Sequence, residues 1–459
     1  MEPSGRSTAT PRLGLRSGTR PAFVFETDRC TACEACRIAC GIENGGGHDT
    51  GWRKVTTFNP ARHPALPTKH LSLACNHCDT AACMLGCPAS AYHRDAATGA
   101  VIIDPRKCIG CRYCSWVCPY DAPRFDEARG VMTKCTFCAP RLAAGGEPAC
   151  TQACPTGALA LGTREDAAPD SELPLLGLGP TGLGPALKLV LPGRATPPPM
   201  LATEALAAGD DRPEQPVPPR KIHLGGEWAL LVFTLIMPAL TAWLGAGLRL
   251  PARGPSLASF LALGGLAMVV TTLHLGQPLR AWRAILNVRT SWLSREILLA
   301  NAFLGLGTLH LLWPEPRSLG WGAFAAGLGL CVAIDGVYRA VPRLEPRRPH
   351  SAEAFLTAVF LTGCALSSPV LQVAAGAVKA ALFVGRWRAG HHALPPALSG
   401  VRLVLLAASC LIVSDLWWLA LGLALLGELL DRGAFYAELE PASPARRMAS
   451  ELLRRLPRA

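Results

Sequence analysis

The stretch CIGCRYCSWVCPYDAP, residues 108–123, places four cysteines at spacings of two, two and three residues, with a proline after the last. Three further groups of four cysteines lie between residues 30 and 154, and the four groups together hold 16 of the 19 cysteines of the chain. Such a density indicates disulfides, zinc or iron–sulfur clusters. The four groups are Cys30, Cys33, Cys36 and Cys40; Cys75, Cys78, Cys83 and Cys87; Cys108, Cys111, Cys114 and Cys118; and Cys135, Cys138, Cys150 and Cys154.

The spacing of these cysteines favours iron–sulfur clusters over the two alternatives. Disulfide frameworks are typical of small secreted domains, and the N-terminus shows no secretory signal. Zinc ribbons use two CxxC pairs separated by a longer spacer, which leaves no role for a third cysteine close behind each pair. The run C-x2-C-x2-C-x3-C-P is the bacterial ferredoxin signature, in which three thiolates bind one cluster and the fourth ligates the other cluster of a pair.

This cross-ligation predicts which cysteines share a cluster, although spacing alone leaves open which groups pair. We expect the neighbouring second and third groups to form one pair and the outer groups to form another by closing the chain on itself. Because every ligand position holds a cysteine, all four clusters should be [4Fe–4S]. The predicted ligand sets are set 1 (Cys30, Cys33, Cys36, Cys154), set 2 (Cys40, Cys135, Cys138, Cys150), set 3 (Cys75, Cys78, Cys83, Cys118) and set 4 (Cys87, Cys108, Cys111, Cys114).

The sequence around the cysteines predicts an α+β ferredoxin-like domain with four [4Fe–4S] clusters over residues 23–162. Short apolar runs lead into the cluster-binding loops in GAVIIDPRKC (99–108) and ARGVMTKC (128–135), as the strands of small hairpins would. Residues 1–22 are expected to form a disordered tail. Residues 163–221 are rich in proline and glycine and are expected to be a linker, in which GPALKLVLPGR (184–194) could form an ordered arm.

From Trp228 onwards the composition is that of a membrane protein. The 21 residues of WALLVFTLIMPALTAWLGAGL, 228–248, carry no charge and would span a bilayer core of about 30 Å. Two later apolar stretches are too long for one span and could break at Pro369 and Asp415. We predict an all-α polytopic membrane domain over residues 222–438, with six to eight transmembrane helices, and a basic C-terminal tail over 439–459. The other predicted spans are 257–275, 296–313, 319–341, 352–384 and 403–431.

Ionisable residues at membrane depth are candidates for function. His274 ends the second predicted span and Glu296 opens the third, so both lie at one membrane face. With no convincing pair of facing histidines for haem, a lipid-soluble quinone is the expected electron donor or acceptor, and its chemistry needs a proton acceptor beside the ring. His274 and Glu296 are therefore candidate catalytic residues. The candidate quinol-binding residues are His274, Glu296, Arg280, Arg283 and, as a weaker candidate, Glu227.

Other polar residues have simpler interpretations. Asp335 and Asp415 suit helix packing better than a proton path. Cys331, Cys364 and Cys410 resemble small buried apolar residues. The histidines of the first domain, His48, His63, His70 and His77, are expected to be surface or packing residues.

The sequence resembles a known family over most of its length. Residues 23–161 resemble the four-cluster iron–sulfur subunit of dimethyl sulfoxide reductase-type molybdoenzymes, and residues 222–438 resemble the membrane-anchor subunit of the same enzymes. Two subunits that are normally separate here form one chain. The matching strings are FVFETDRCTACEACRIACGIENG, WRKVTTF, LSLACNHCDTAACMLGCP, CIGCRYCSWVCPYDAPRF, MTKCTFC and CTQACPTGAL, then GEWALLVFT, HLGQPLRAWRA, SWLSREI and GELLDRGAFYAEL.

The resemblance implies an eight-helix anchor that oxidises menaquinol. The histidine and glutamate of the family's HLG and SREI motifs serve its quinol site, and they correspond here to His274 and Glu296. The resemblance also implies the cluster pairing given above, a separate molybdopterin-containing catalytic subunit, contact with the menaquinone pool and membrane lipid, and no nucleic-acid partner. The expected function is electron transfer and membrane anchoring in an anaerobic respiratory molybdoenzyme, whose terminal substrate belongs to the catalytic subunit.

Two alternatives stay open at this point, as does the orientation in the bacterial cytoplasmic membrane. Electrons could flow from a dehydrogenase partner to quinone, or the chain could be a zinc-binding membrane scaffold without redox activity. Arginines are more frequent in the loops after the second and fourth spans, which places the clusters in the cytoplasm. Family members instead commonly face outward, exported with a catalytic subunit that carries a twin-arginine signal. The net charge of +12 favours neither side.

Overall fold

The computed structural model describes residues 20–45, 51–64, 66–166, 174–190, 221–344, 348–390, 395–412 and 416–455. The predicted N-terminal tail up to residue 19, residues 191–220 of the predicted linker, His48 and Asp415 lie outside these ranges. Within them, a small α+β domain that contains the sixteen clustered cysteines precedes a region of long apolar helices. The predicted order of a ferredoxin-like domain followed by a helical domain is confirmed.

The strands of the cysteine-rich domain are short, and most of them pair with a neighbour in sequence. Three two-stranded antiparallel sheets lie beside one three-stranded sheet. The strands are β1 (Pro21–Glu26), β2 (Lys54–Phe58), β3 (Lys69–Leu73), β4 (Tyr92–Arg94), β5 (Val101–Ile103), β6 (Arg124–Asp126), β7 (Val131–Thr133), β8 (Leu159–Thr163) and β9 (Leu187–Val190).

The three-stranded sheet, of order β8-β1-β9, joins the two ends of the domain. Strand β1 pairs antiparallel with β8 and in parallel with β9, so that Phe23 lies opposite both Leu161 and Leu187. The sequence PAFVFE suits the central position because aromatic and β-branched residues pack well on a pleated surface. The sheet brings the segment before Cys30 beside the segment after Cys154, and β9 shows that part of the suggested arm lies on this domain.

Five short helices carry cysteines or directly follow them, and the cysteines form part of the core of the domain. The cysteines share this core with large apolar side chains such as Phe25, Leu71 and Phe137. Bonds between thiolates and metal would add to the stability that this apolar packing supplies. The helices are α1 (Ala35–Glu43), α2 (Ala82–Leu85), α3 (Tyr113–Val117), α4 (Ala139–Ala143) and α5 (Ala149–Gln152).

Eight helices lie in the described residues between 224 and 438. Three of them, α6, α9 and α11, are long and apolar enough to cross a bilayer, and a fourth span results if α7 is counted with the 3₁₀ turn Pro278–Ile285, which it meets at 107°. The eight helices are α6 (Leu224–Arg249), α7 (Leu257–Leu273), α8 (Trp292–Leu312), α9 (Arg317–Arg339), α10 (Ala354–Leu366), α11 (Pro369–Arg388), α12 (Pro396–Leu411) and α13 (Trp417–Glu438).

The apolar stretch 352–384 breaks at Pro369, as predicted. Helix α10 ends at Leu366, Ser367 adopts a left-handed φ of 50°, and α11 begins at Pro369. Proline suits the first turn of a helix because the N–H that it lacks would have no partner there. Helix α6 is central to the helical region and packs against α7, α9, α10 and α13.

The predicted basic tail contains a further helix, α14 (Pro444–Arg455), which returns to the cysteine-rich domain. Met448 and Leu452 are buried in the core of that domain. Gly177 lies so close to the backbone of Pro444 that a Cβ atom on it would come within 2.7 Å of the Pro444 carbonyl carbon. The two halves of the chain are therefore packed together at this point.

Candidate functional site

Each group of cysteines begins with the same local backbone feature. The residue two positions after the first cysteine has a positive φ in all four groups: 57° at Ala32, 42° at His77, 72° at Gly110 and 63° at Phe137. This conformation turns the backbone N–H back towards the preceding sulfur. The four loops are therefore repeats of one structural unit.

These N–H groups donate hydrogen bonds to cysteine sulfur. The distance from N to Sγ is 3.4 Å for His77 to Cys75, 3.4 Å for Gly110 to Cys108 and 3.3 Å for Phe137 to Cys135. A backbone N–H favours a thiolate over a thiol, because the thiolate is the stronger acceptor. The loops therefore suit metal-bound thiolates better than free thiols.

The thiols of each predicted ligand set lie together. Burial raises the pKa of the Cys30 thiol, and the nearby Cys36, Cys154 and Cys33 of set 1 raise it further. The same two causes raise the pKa of Cys138 in set 2, Cys83 in set 3 and Cys111 in set 4, the last to about 12. The neighbouring thiols that raise these pKa values are Cys150 and Cys40 for Cys138; Cys118, Cys75 and Cys78 for Cys83; and Cys87 and Cys108 for Cys111.

Two of the sets surround a cavity. All four cysteines of set 2 line one cavity, together with Arg53 and Phe23. All four cysteines of set 3 line another, together with His77. Four converging sulfurs around a space of their own are the donor set that an iron–sulfur cluster requires, so the residues present fit this group.

The spacing of the sulfurs does not suit a single zinc ion. Thiolates that share one zinc ion lie within about 4 Å of one another, because each Zn–S bond is about 2.3 Å long. Among the residues that the structure describes, which include all sixteen clustered cysteines, no three His, Cys, Asp or Glu side chains are grouped to hold one metal ion.

A third cavity, of about 440 Å³, lies between the two halves of the chain. His274, at the C-terminal end of α7, and Glu296, in the second turn of α8, both line it. Ile109 and Cys111 of the cysteine-rich domain line it as well, so that set 4 forms part of its wall. The rest of the lining is largely apolar and includes Trp116, Leu230, Phe233, Met268 and Trp282.

Of the described candidates, Arg280, Arg283 and Glu227 are not among the residues that line this cavity. Arg280 instead donates from Nη1 to the carbonyl oxygens of Pro105, at 2.8 Å, and Cys108, at 3.2 Å. The guanidinium of Arg283 lies 5.0 Å from the ring of Trp282. Arg280, in the segment between α7 and α8, therefore contacts the loop that carries set 4.

The structure adds Tyr338 and Tyr113 to the cavity lining. The hydroxyl of Tyr113 donates to the carbonyl oxygen of Val337 at 2.9 Å, and the hydroxyls of Tyr338 and Tyr436 share a hydrogen bond. Sequence reasoning missed both residues because aromatic side chains in apolar segments also occur throughout ordinary helix cores. The only available signal was the position of Tyr113 inside the third cysteine group.

Short polar contacts attach this cavity to the cluster loops. We call residues 274–291, between α7 and α8, the anchor loop. Asn287 donates from Nδ2 to the carbonyl oxygen of Cys87 at 2.9 Å, and Ser291 donates from Oγ to that of Gly86 at 2.9 Å. The backbone N–H of Gln277 donates to the carbonyl oxygen of Ile109 at 3.1 Å. Both segments that supply set 4 are therefore held by the anchor loop.

Comparison with known proteins gives matches for both halves. Residues 67–164 match the 4Fe-4S dicluster domain family, and residues 255–383 match the family of the DMSO reductase anchor subunit (DmsC). One of the chains of the anaerobic dimethyl sulfoxide reductase of Haemophilus influenzae is 38% identical over 160 residues, which are 33% of the present sequence and 75% of the relative.

Two further relatives match the same half of the sequence. YnfG of Escherichia coli, a probable anaerobic dimethyl sulfoxide reductase component, is 37% identical over 156 residues, 32% of the present sequence and 76% of the relative. One of the subunits of the sulfite dehydrogenase of Allochromatium vinosum is 34% identical over 176 residues, 34% of the present sequence and 72% of the relative. The chain therefore belongs to the family of iron–sulfur electron-transfer subunits of dimethyl sulfoxide reductase type, fused in one polypeptide to a membrane-anchor domain of the DmsC family.

Proposed function

We propose that this chain oxidises menaquinol in the cavity between its two halves and passes the electrons one at a time through four [4Fe–4S] clusters to a separate molybdopterin-containing catalytic subunit. It would be the electron-transfer and anchor component of an anaerobic respiratory molybdoenzyme. The observation that carries the proposal is that His274, Glu296 and Cys111 line one cavity.

The residues of the cavity suit the protons of this reaction. Oxidation of a hydroquinone to a quinone releases two electrons and two protons, so each hydroxyl needs an acceptor beside it. The Glu296 carboxylate and the His274 imidazole supply two acceptors. The apolar side chains of Trp116, Phe233 and Met268 would contact the ring and exclude water.

The neighbouring sets suggest a single route for the electrons. Bound [4Fe–4S] clusters supply one-electron carriers, whose potentials depend on nearby charge and hydrogen bonds. Set 4 contributes Cys111 to the cavity wall. Electrostatic neighbours then connect the sets in turn. Cys83 of set 3 raises the pKa of Cys114 of set 4, and Cys75 of set 3 raises the pKa of Cys135 of set 2. In the same way, Cys150 of set 2 raises the pKa of Cys36 of set 1.

In this proposed order, set 1 is the furthest from the quinol along the series of clusters. Cys33 of set 1 is exposed, so the catalytic subunit would receive electrons at that end of the domain. We propose the same functional units as the sequence predicts: the four-cluster domain over residues 23–162 and the quinol-binding anchor over 222–438, with helices α6 to α13 forming a multi-pass anchor in the bacterial cytoplasmic membrane.

The opposite direction of electron flow is a second candidate, favoured by one relative. The relative from Allochromatium vinosum carries the name of a sulfite dehydrogenase, an enzyme that withdraws electrons from its substrate. A dehydrogenase partner would feed electrons into set 1, and quinone would be reduced in the cavity. Redox potentiometry distinguishes the directions, because a quinol oxidase needs cluster potentials at or above that of the quinol couple.

The test of the proposed function is to reduce the clusters with a menaquinol analogue. An anaerobic sample should contain about sixteen iron atoms per chain, four for each cluster, and the analogue should bleach their visible absorbance. Because general acid–base groups typically contribute about 100- to 10,000-fold, we expect His274→Gln and Glu296→Gln each to slow this bleaching by at least about 100-fold. Iron content and bleaching by dithionite should not change.

A matched control is His310→Gln, which changes a histidine of α8 that does not line the cavity among the described residues. This variant should behave like the unaltered chain. Wild-type rates in both cavity variants would refute the quinol site. An iron content well below sixteen would refute the four-cluster assignment.

A further inference from the structure

Arg53 is a permanently charged residue inside the cysteine-rich domain, with an exposed fraction of only 1%. It directly precedes β2. Its Nη1 atom donates to the carbonyl oxygen of Ser72 at 3.0 Å and lies 3.3 Å from the Ser72 hydroxyl. Its guanidinium carbon lies 4.5 Å from the centre of the Phe23 ring. These contacts fix the position of the charge.

The negative charge opposite Arg53 comes from cysteines. Burial lowers the pKa of the Arg53 guanidinium, but the sulfurs of Cys150, Cys36 and Cys135 raise it above its ordinary value, and none of the carboxylates in the described residues is among these strongest neighbours. Burying an unpaired charge costs several kcal/mol. A guanidinium in this place is therefore stable only if the cysteines, with whatever they bind, carry negative charge.

The free nitrogens of Arg53 face the same cysteines. Its Nε and Nη2 atoms are buried and have no hydrogen-bond partner among the described residues. Arg53 lines the cavity that all four cysteines of set 2 surround. Towards set 1, the Ser72 hydroxyl bridges the two groups, since it lies 3.2 Å from the sulfur of Cys36. The charge therefore stands between two ligand sets: it lines the cavity of set 2 and is linked to set 1 through Ser72.

We propose that Arg53 is a tuning residue whose fixed charge raises the reduction potentials of the clusters held by sets 1 and 2. Reduction adds one negative charge to a cluster, and a nearby cation stabilises that reduced form, most strongly in a site that excludes water. Electrons that enter at set 4 would thereby be drawn towards the outer end of the domain. The proposal rests on the cluster assignment of the proposed function.

The test is a potentiometric titration of the clusters, followed by electron paramagnetic resonance, in the full-length protein in membranes. Arg53→Met removes the charge and keeps much of the volume. Arg53→Gln also removes the charge but keeps an N–H donor for the Ser72 carbonyl. Both should shift the potentials of two clusters to more negative values and leave the other two unchanged. Arg53→Lys keeps a charge and should shift the same two clusters less.

Lys69→Met is the control, because Lys69 forms an ion pair with Asp28 at the surface, with Nζ 2.6 Å from Oδ1. It should leave all four potentials unchanged. A neutral variant with full iron content and wild-type potentials would refute the proposal. Loss of the clusters from both neutral variants would also refute it, since the charge would then hold the clusters rather than tune them. Chemical mediators set the potential, so these outcomes are independent of whether menaquinol is the donor.

Discussion

A left-handed backbone conformation is strained for residues other than glycine, by about 1–2 kcal/mol per residue. Ala32, His77 and Phe137 nevertheless adopt it at equivalent positions of three cysteine groups, and Gly110 adopts it in the fourth. Strain that recurs at equivalent positions indicates a common functional requirement. Here the requirement is an N–H aimed at a sulfur, which stabilises thiolate and so prepares each loop to bind a cluster.

Asp335 is a buried acid whose hydrogen bonds join two helices. From α9 it accepts hydrogen bonds from the backbone N–H groups of Ala354, at 2.7 Å, and Phe355, at 3.1 Å. These N–H groups begin α10 and have no partner within their own helix. The carboxylate therefore caps a neighbouring helix, in agreement with the packing role that the sequence favoured over a proton path.

We predict that Asp335→Ala lowers the free energy of unfolding by about 0.5–2 kcal/mol, the usual effect of losing a helix cap. Thermal unfolding in detergent measures this change. Asp335→Asn keeps an acceptor oxygen, so it should lose less stability. Its amide cannot carry a proton as a carboxylate does, but because Asp335 is expected to act only as a cap, reduction of the clusters by menaquinol should keep the wild-type rate. A stable Asn variant with slow quinol oxidation would instead assign Asp335 to a proton path.

At the scale of elements, three glycines bring the cysteine-rich domain and the anchor loop into backbone contact. A Cβ atom on Gly110 would come within 2.7 Å of the Cα atom of Gly276, and one on Gly276 would come within 2.7 Å of the Gly130 carbonyl carbon. Gly110 follows Cys108 of set 4, and Gly276 follows His274 of the cavity. These glycines therefore control how closely set 4 approaches the cavity.

We predict that Gly276→Ala displaces the anchor loop from the set 4 loop and destabilises the protein by about 1–3 kcal/mol, as overpacking typically does. Reduction of the clusters by the menaquinol analogue should become slower, whereas reduction by dithionite should not. Stopped-flow absorbance measures both rates. Gly265→Ala is the matched control, because no atom lies within 4 Å of a Cβ placed on that glycine of α7. Equal rates in the two variants would contradict this role of the close contact.

These elements also show which features the sequence could predict. The grouping of cysteines follows from their spacing, and the break at Pro369 follows from the chemistry of proline; both are local signals. The glycine contact joins residues 110 and 276, and α14 reaches a core formed by residues far earlier in the chain. Such contacts leave no periodic pattern in either segment. Arg53 was missed for a related reason, since one arginine beside a strand is usually a solvated surface residue.

At the scale of the whole molecule, the two halves are joined by much more than the segment that connects them. The Tyr113 hydroxyl donates a hydrogen bond to the Val337 carbonyl of α9, the anchor loop bonds to both segments of set 4, and α14 packs against the core of the cysteine-rich domain. Relatives of the first half are named as separate chains of their enzymes. Fusion therefore adds a covalent link to an interface whose contacts already hold the parts together.

We predict that cutting the polypeptide between the halves leaves them associated. A protease site inserted between residues 200 and 210 would be cleaved in detergent, and a C-terminal affinity tag would then recover the anchor half. The cysteine-rich half and its iron should be recovered with it, because the direct contacts remain. The same cleavage in a protein that ends at residue 443, and so lacks α14, should release more of the cysteine-rich half. Complete loss of iron from the tagged fraction, with α14 present, would show that the peptide link rather than the interface holds the clusters beside the quinol cavity.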